Sequence, residues 1–252
     1  MPRIMTYNVH RCLGMDGRLD VPRIAAVIAE DEPDIVALQE LDVGRARTRG
    51  VDQAHAIAEL LGMRSRFNAA LTVEDELYGD AILTALPERL IKAGPLPGLP
   101  ALPQLEPRGA VWAAVETELG EIQVVNTHLG LLAREQLAQV DALLSPEWLG
   151  GRRDLSRTIL LGDFNASSGS QAYKRLIETL GDAQQLAPLR PSPTFPAMFP
   201  MLRIDHVFVG RAIEVRRAWT STSALAKTAS DHLPLLVDFE LRSSRAAASR
   251  SR

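Results

Sequence analysis

The sequence has one cysteine, Cys12, so no disulfide can form within the chain. A packed core must hold the fold, and the composition fits a reducing compartment. No apolar run approaches the ~20 residues needed to span a bilayer. The opening residues, MPRIMTYNVH, enter a strand pattern at once, with no charged-then-apolar leader. A cytoplasmic location without a transmembrane segment is the expectation. The formal net charge is −3, which provides no global basic field for a polyanion. Nucleic acid is therefore not favoured as a partner, although a local basic cleft would still admit it. No repeat recurs at a fixed period.

What is present suffices for one large domain. The chain has 252 residues, 46% of them hydrophobic, enough to build a sizeable core. A single domain over residues 1–241 is expected, and a monomer. Arg242 to Arg252 contains only Ser, Ala and Arg and reads as a disordered basic tail. That tail could touch an anionic membrane or nucleic acid, or have no partner.

The chain is organised around TILLGDFNA, Thr158 to Ala166. Ile159, Leu160 and Leu161 form an apolar run suited to a strand covered on both faces. Gly162 permits a sharp turn, and Asp163 and Asn165 follow at the carboxyl end of the strand. Layered α/β domains place their chemistry at that end. Asp accepts a proton or holds a metal, and Asn donates to an oxyanion without adding charge. The alternative is an Asx-type loop in which both side chains bond their own backbone.

Taken in order, Arg3 to His10 reads as a strand ending at Asn8. Asp20 caps a helix with Pro22 in its first turn, and Pro33 stops it. Asp34 to Gln39 is a second buried strand that delivers Glu40. A carboxylate there needs a partner, either a divalent cation or one of Arg45, Arg47 and Arg49. A helix over Gln53 to Leu61 ends at Gly62. Strands follow over Ser65 to Leu71 and Tyr78 to Leu86. Gly94 to Pro107 reads as an irregular loop. Arg108 to Glu118 and Glu121 to Thr127 pair through a turn at Leu119–Gly120 and lead into His128. A helix over Arg134 to Leu144 shows Leu137, Val140, Leu143 and Leu144 on one face. Another covers Ser170 to Leu180. Pro188 to Pro200 is a proline-rich loop and a rim for a site. Arg203 to Val209 carries Asp205 and His206, and Ile213 to Thr220 pairs with it or lies beside it. Asp231 and His232 precede a last strand over Leu235 to Leu241.

Polar groups thus stand repeatedly at strand ends, and four of the five histidines lie in or beside these stretches. The ordered series YNVH, LQE, NTH, GDFN, IDH and SDH resembles the endonuclease/exonuclease/phosphatase superfamily, the fold of DNase I. The match runs from Ile4 to about Phe239. GDFN with SDH at this separation is the specific part of it. The segments EPRGAVWAAVE, NTHLGLLAREQLAQ, TFP and RIDHVFV further resemble a small, stand-alone bacterial branch. That branch is similar to the phosphodiesterase-like domain of glycosylphosphatidylinositol lipid-remodelling proteins. The resemblance implies a four-layer α/β sandwich, with two mixed β-sheets face to face and helices outside.

It also implies hydrolysis of a phosphate ester by water with Mg²⁺, for which Mn²⁺ would substitute. Glu40 would ligate the metal, Asn8 would hold that ligand or the phosphate, and Asp231 would contact a metal or orient its neighbours. Asp163 would orient or deprotonate the attacking water. Asn165 and His128 would donate to non-bridging oxygens. Asp205 would fix the tautomer of His232, which would bind the phosphate or act as acid/base. Arg108 could contact substrate phosphate or form a structural ion pair. Asp80 stands where related motifs carry Asn, and either binds a second metal or lacks the hydrogen bond of an amide. His206 should face away from Asp205 in a period-two strand and has no chemical role.

Three functions compete. The first is a metal-dependent phosphodiesterase acting on a small or lipid-linked phosphate. The second is a nuclease of the same mechanism, which should show a long basic groove. The third is a non-catalytic binding module, disfavoured because no acidic, amide or histidine position is missing. A lipid enzyme should show exposed apolar loops, for which Leu96, Leu99, Leu102, Phe195, Met198, Phe199 and Met201 are candidates.

Overall fold

The computed structural model describes residues 1–242. The expected basic tail falls, beyond Arg242, outside the described residues. Two six-stranded sheets form the framework. Numbered in chain order, the first runs β11 (Ile213–Thr220), β12 (Leu235–Leu241), β1 (Arg3–Asn8), β2 (Ile35–Val43), β4 (Glu76–Thr84) and β3 (Arg64–Val73). The second runs β5 (Glu88–Pro95), β6 (Gly109–Thr117), β7 (Gly120–His128), β8 (Thr158–Asp163), β10 (Asp205–Val209) and β9 (Gly181–Asp182). Both sheets are mixed: β1 pairs β2 and β7 pairs β8 in parallel, and the other neighbours are antiparallel.

Side-chain alternation explains the layers. Ile4, Ile35, Ala37, Ile122, Val124, Ile159, Leu161, Val207 and Val237 point between the sheets and form one apolar cluster. Their neighbours Met5, Tyr7, Val36 and Leu38 point outward under α1 (Val21–Asp31), α2 (Gln53–Leu60) and α6 (Ala224–Ala229). Val125, Leu160 and Phe208 point outward from the other sheet under α3 (Ala133–Leu144) and α4 (Gln171–Ile177). The fold is therefore the four-layer α/β sandwich. Each fully buried Ile or Leu contributes roughly 1.5–3 kcal/mol of transfer free energy.

Asp20 caps α1 by accepting from the Arg23 N–H, and Ser170 caps α4 by accepting from the Tyr173 N–H. Four sequence expectations change. The segment 213–220 does not join the strand that precedes it. It pairs with β12 in the other sheet, because the chain crosses the sandwich after β10. β5 lies where no strand was expected. It is an edge strand with no buried residue, so it lacks clean alternation, and its terminal Pro95 is tolerated there. The short helix α6, capped by Ser223, was also not anticipated. The buried face of α3 is partly polar, with Glu135, Gln136 and Gln139 buried beside Val140 and Leu143 while Leu137 is only half-buried. Among the described residues, no helix is long and apolar enough to cross a membrane.

Candidate active site

Register builds the site. Within the second sheet His128 stands opposite Asp163, and Asp163 stands opposite Asp205. Three strands thus set three functional side chains in one row, on the face that carries Leu161 and Val207 inward. The row lies at the strand ends, where the buried inward-facing side chains become polar.

The facing row comes from β1 and β2. Asn8 ends β1 opposite Gln39. Strict alternation would send Glu40 outward, on the helix side. A bulge between Leu38 and Leu41 prevents this by adding one residue, so Leu38 and Leu41 both pack outward and Glu40 turns inward. Glu40 takes a left-handed φ of 61° to do so, a conformation that costs a non-glycine residue about 1–3 kcal/mol.

A buried polar network supports the bulge. The Asn126 amide donates to the carbonyls of Leu38 and Ala81, both at 2.9 Å. Its oxygen accepts from Gln39 Nε2 at 2.7 Å, and Gln39 Nε2 also donates to Thr6 Oγ1 at 3.0 Å. These residues tie the sheets together beneath the site. Their signal in the sequence was a polar residue inside each apolar strand.

The Asn8 amide bridges the two rows. Its Nδ2 donates to Glu40 Oε1 and to Asp163 Oδ2, both at 3.0 Å. Asp163 Oδ1 accepts from the Asn165 N–H at 2.9 Å. His128 Nε2 lies 3.5 Å and His232 Nε2 3.6 Å from Asp163 Oδ2. His232 Nδ1 donates to Asp205 Oδ2 at 2.9 Å, which fixes the ring. Gly162 lets β8 approach β7 here, since any Cβ at that position would run into the Thr127 carbonyl.

Several holders of the site were not anticipated. Thr194 donates its hydroxyl to Asp205 Oδ2. Phe195 lies against His232, with ring centroids 4.8 Å apart. Ser230 donates to the Asn8 carbonyl at 2.8 Å and accepts from the His232 N–H at 3.3 Å, joining the final loop to β1. Gln136 donates to the Asn165 carbonyl at 2.8 Å. The TFP and SDH segments contained three of these residues, but only the folded chain shows what they hold.

The remaining sequence candidates sit around this core. Asp80 is buried on β4, faces Arg108 and Glu40, and burial pushes its carboxyl up to about 8. Asp231 accepts from Ser230 Oγ at 3.3 Å, and one of its oxygens lies 3.8 Å from His10 Nδ1. Arg108 is 7% exposed and turned inward, with Nη1 donating to Glu106 at 2.6 Å and lying 3.2 Å from His128 Nδ1. His206 points out of the site, as alternation requires. It packs among Phe164, Tyr173 and Phe208, and its Nε2 donates to the Ala166 carbonyl at 2.8 Å.

The electrostatics follow from burying acids and imidazoles together. Burial, then the Asp205 charge, push Asp163 up to about 7. Burial opposes a charged His232, but the carboxylates of Asp205 and Asp163 override it and push that ring up to about 10. Burial, Arg108 and His232 together hold His128 well below the usual histidine range. Asp163, Asp205 and His232 each offer a ligand atom within 4.8 Å of the others. Asp205 Oδ1 is buried without a partner, whereas His232 Nδ1 and Asp205 Oδ2 are already joined. Carboxylates outnumber cationic groups here, and the donors are mainly oxygen. The oxygen donors here, with Glu40 held by Asn8 beside Asp163, fit a hard divalent cation, whereas His232, kept cationic by its carboxylate neighbours, is not a ligand.

A model of the Endonuclease/Exonuclease/phosphatase family matches residues 5–232. Uncharacterized protein YbhP of Escherichia coli strain K12 is 24% identical over 260 residues, covering 95% of this chain and 96% of that protein. Among solved structures, an endonuclease/exonuclease/phosphatase from Beutenbergia cavernae DSM 12333 is 25% identical with a TM-score of 0.74, over 95% of this chain and 71% of that one. A mannosyl-6-phosphatase from Bacteroides thetaiotaomicron VPI-5482 has the same fold, with a TM-score of 0.75 and 22% identity over 95% and 99% of the two chains. The chain belongs to the endonuclease/exonuclease/phosphatase family, whose members hydrolyse phosphate esters.

Proposed function

We propose that this family member is a metal-dependent phosphoric ester hydrolase acting on a small or lipid-linked phosphate ester. The observation that carries this reading is the polar cluster in which Asn8 joins Glu40 to Asp163, with the His232–Asp205 pair on one flank and His128 with Asn165 on the other. Glu40, Asn8 and Asp231 would hold Mg²⁺ or Mn²⁺. When bound, the cation supplies charge neutralisation at the phosphate and lowers the pKa of water. Asp163, kept partly basic by its raised pKa, orients the attacking water and takes its proton. His232 is held cationic by Asp205 and binds the phosphate or returns the proton to the leaving oxygen. His128 and Asn165 donate to non-bridging oxygens as charge develops there.

Two features favour a small or lipid-linked substrate over a polynucleotide. Arg47, Arg108 and Arg203 are engaged by Asp42, Glu106 and Asp182, which leaves less free positive charge for a polyanion. The loop that seats Phe195 on His232 also presents Met198, Phe199, Met201 and Leu202 to solvent, with Phe199 and Met201 about three-quarters exposed. Leu96, by contrast, packs into the core, and Leu99, Leu102 and Phe195 are half-buried.

The reading is tested with a panel assayed with Mg²⁺, with Mn²⁺ and with chelator. It comprises bis(4-nitrophenyl) phosphate, a 4-nitrophenyl monoester, glycerophospho- and inositol-phospholipids, sphingomyelin, and supercoiled and abasic DNA. Cation-dependent hydrolysis of a diester or lipid, lost with chelator, is expected. Preferential DNA cleavage would keep the mechanism and overturn the substrate class. Activity that survives chelation would overturn the mechanism. The rim has its own test. Replacing both Phe199 and Met201 by serine should weaken co-sedimentation with phosphatidylcholine–phosphatidylglycerol vesicles about tenfold or more, since each buried side chain is worth roughly 1.5–3 kcal/mol. Hydrolysis of the soluble diester should be unchanged. Equal vesicle binding by both proteins would remove the loop from substrate access.

A further inference from the structure

We propose that Arg108 is a positioning residue that locks His128 in the tautomer protonated on Nε2, so that this N–H and the Asn165 amide converge on one anionic oxygen. The inference rests on the phosphate-ester reading for the identity of that oxygen, but not for the tautomer.

The tautomer follows from donor and acceptor counting. Arg108 precedes β6 and reaches across to β7, with Nη1 3.2 Å from His128 Nδ1. A guanidinium carries donors only and does not deprotonate in proteins. The ring has one lone pair to offer between two donors, Arg108 Nη1 at Nδ1 and Asn165 Nδ2 at Nε2; the charged guanidinium is the stronger donor and takes it, so the ring proton resides on Nε2. Glu106 accepts from the same Nη1 at 2.6 Å and holds the guanidinium in place. Burial and the neighbouring positive charges disfavour a second proton on the ring.

The other face of the ring then contains a mismatch. Asn165 Nδ2 lies 3.0 Å from His128 Nε2. The Asn165 amide cannot simply be turned over, because Nδ2 also donates to the Leu129 carbonyl at 3.0 Å. Turning it would set two oxygens against each other. Its backbone is pinned on both sides, the N–H to Asp163 Oδ1 at 2.9 Å and the carbonyl to Gln136 Nε2 at 2.8 Å. Two donors therefore lie side by side, with the Asp163 carboxylate 3.5 Å from Nε2. An anionic oxygen entering between them satisfies both at once.

The two imidazoles of the site thus have opposite polarity. His232 donates Nδ1–H to the Asp205 carboxylate, an arrangement that raises its basicity. His128 accepts at Nδ1 from a cation, so it serves as a fixed donor and not as an acid/base. Asp80 is buried on the same side of Arg108.

The tautomer is readable without turnover. Long-range ¹H–¹⁵N spectra of histidine-labelled protein, with His128 assigned by its loss in His128→Gln, should show a proton on Nε2 in the wild type. Arg108→Lys, which keeps a buried donor, should retain that pattern, and Arg108→Met should show Nδ1 protonation. Inorganic phosphate should shift the His128 signal in wild type and Arg108→Lys but not in Arg108→Met. Turnover of bis(4-nitrophenyl) phosphate should fall about 100-fold or more in Arg108→Met, on the order of losing one preorganised donor to the developing charge, with Arg108→Lys retaining more. A wild-type His128 protonated on Nδ1, or an Arg108→Met spectrum unchanged at His128, overturns the proposal. If Arg108→Met does not fold, the wild-type and Arg108→Lys spectra decide alone. Absence of turnover in the wild type would count against the hydrolase reading and leave the tautomer result intact.

Discussion

Replacing Asp163 by asparagine is expected to lower turnover about 10²–10⁴-fold, the range for loss of a positioned general base. It should do so without loosening the fold. The wild-type carboxyl is buried, and its pKa is raised from 3.8 to about 7. The folded state therefore holds its proton more tightly than the unfolded chain. Stability consequently falls as pH rises from about 4 through about 7, and the deficit is complete above that window. At pH 8 without added divalent cation, Asp163→Asn should melt at or above the wild-type temperature. Its side-chain oxygen still accepts from Asn8 or from the Asn165 N–H.

His232→Ala should lose activity to a similar degree but with the opposite effect on stability. His232 has a raised pKa, so its contribution is full below about 6.5 and is lost as pH rises through about 10. Removing it at neutral pH leaves Asp163 and Asp205 facing each other without their cation. The melting temperature should drop. The paired result, equal loss of activity with divergent melting, separates chemistry from folding. Near-wild-type turnover in either variant overturns its assigned role, and parallel melting shifts overturn the charge reading.

Asn126→Ala is expected to destabilise the protein by about 2–6 kcal/mol, because two buried carbonyls lose a partner worth about 1–3 kcal/mol each when left unsatisfied and the Gln39 amide loses one of its contacts. Those groups are the carbonyls of Leu38 and Ala81 and the amide of Gln39. Such a loss is a large fraction of the roughly 5–15 kcal/mol that holds a domain folded. The carbonyl of Leu38 immediately precedes the bulge that turns Glu40 inward. Activity should therefore fall even at temperatures where the variant is still folded, and added Mg²⁺ should be needed at higher concentration. Urea unfolding of Asn126→Ala, Gln39→Ala and the double variant should show non-additive losses. Additive losses would mean that the network does not act as a unit.

The sequence alone was enough for the layered α/β class and for most strands. An apolar run with a polar residue at its end marks a strand that stops at a cleft, as at Asn8, His128 and Asp163. It also placed His206 away from Asp205, because period-two alternation is local. These features depend on residues close together in the chain, where spacing and side-chain type carry the information.

Tertiary structure decided the rest, since it depends on pairing between distant segments. Alternation alone would have sent Glu40 outward, and only the register shift against β4 turns it toward Asn8. The segment 213–220 has a clear strand pattern, but no local signal tells it to cross to β12. Gln39 and Asn126 fall within expected strands, and only the facing sheets bring them to 2.7 Å. Arg108 read equally well as a phosphate ligand or an ion-pair member, and its contact with His128 Nδ1 exists only because β6 and β7 pair. Residue type fixed what each side chain is able to do. The long-range contacts that set its direction and its neighbours determined which of those capacities the fold employs.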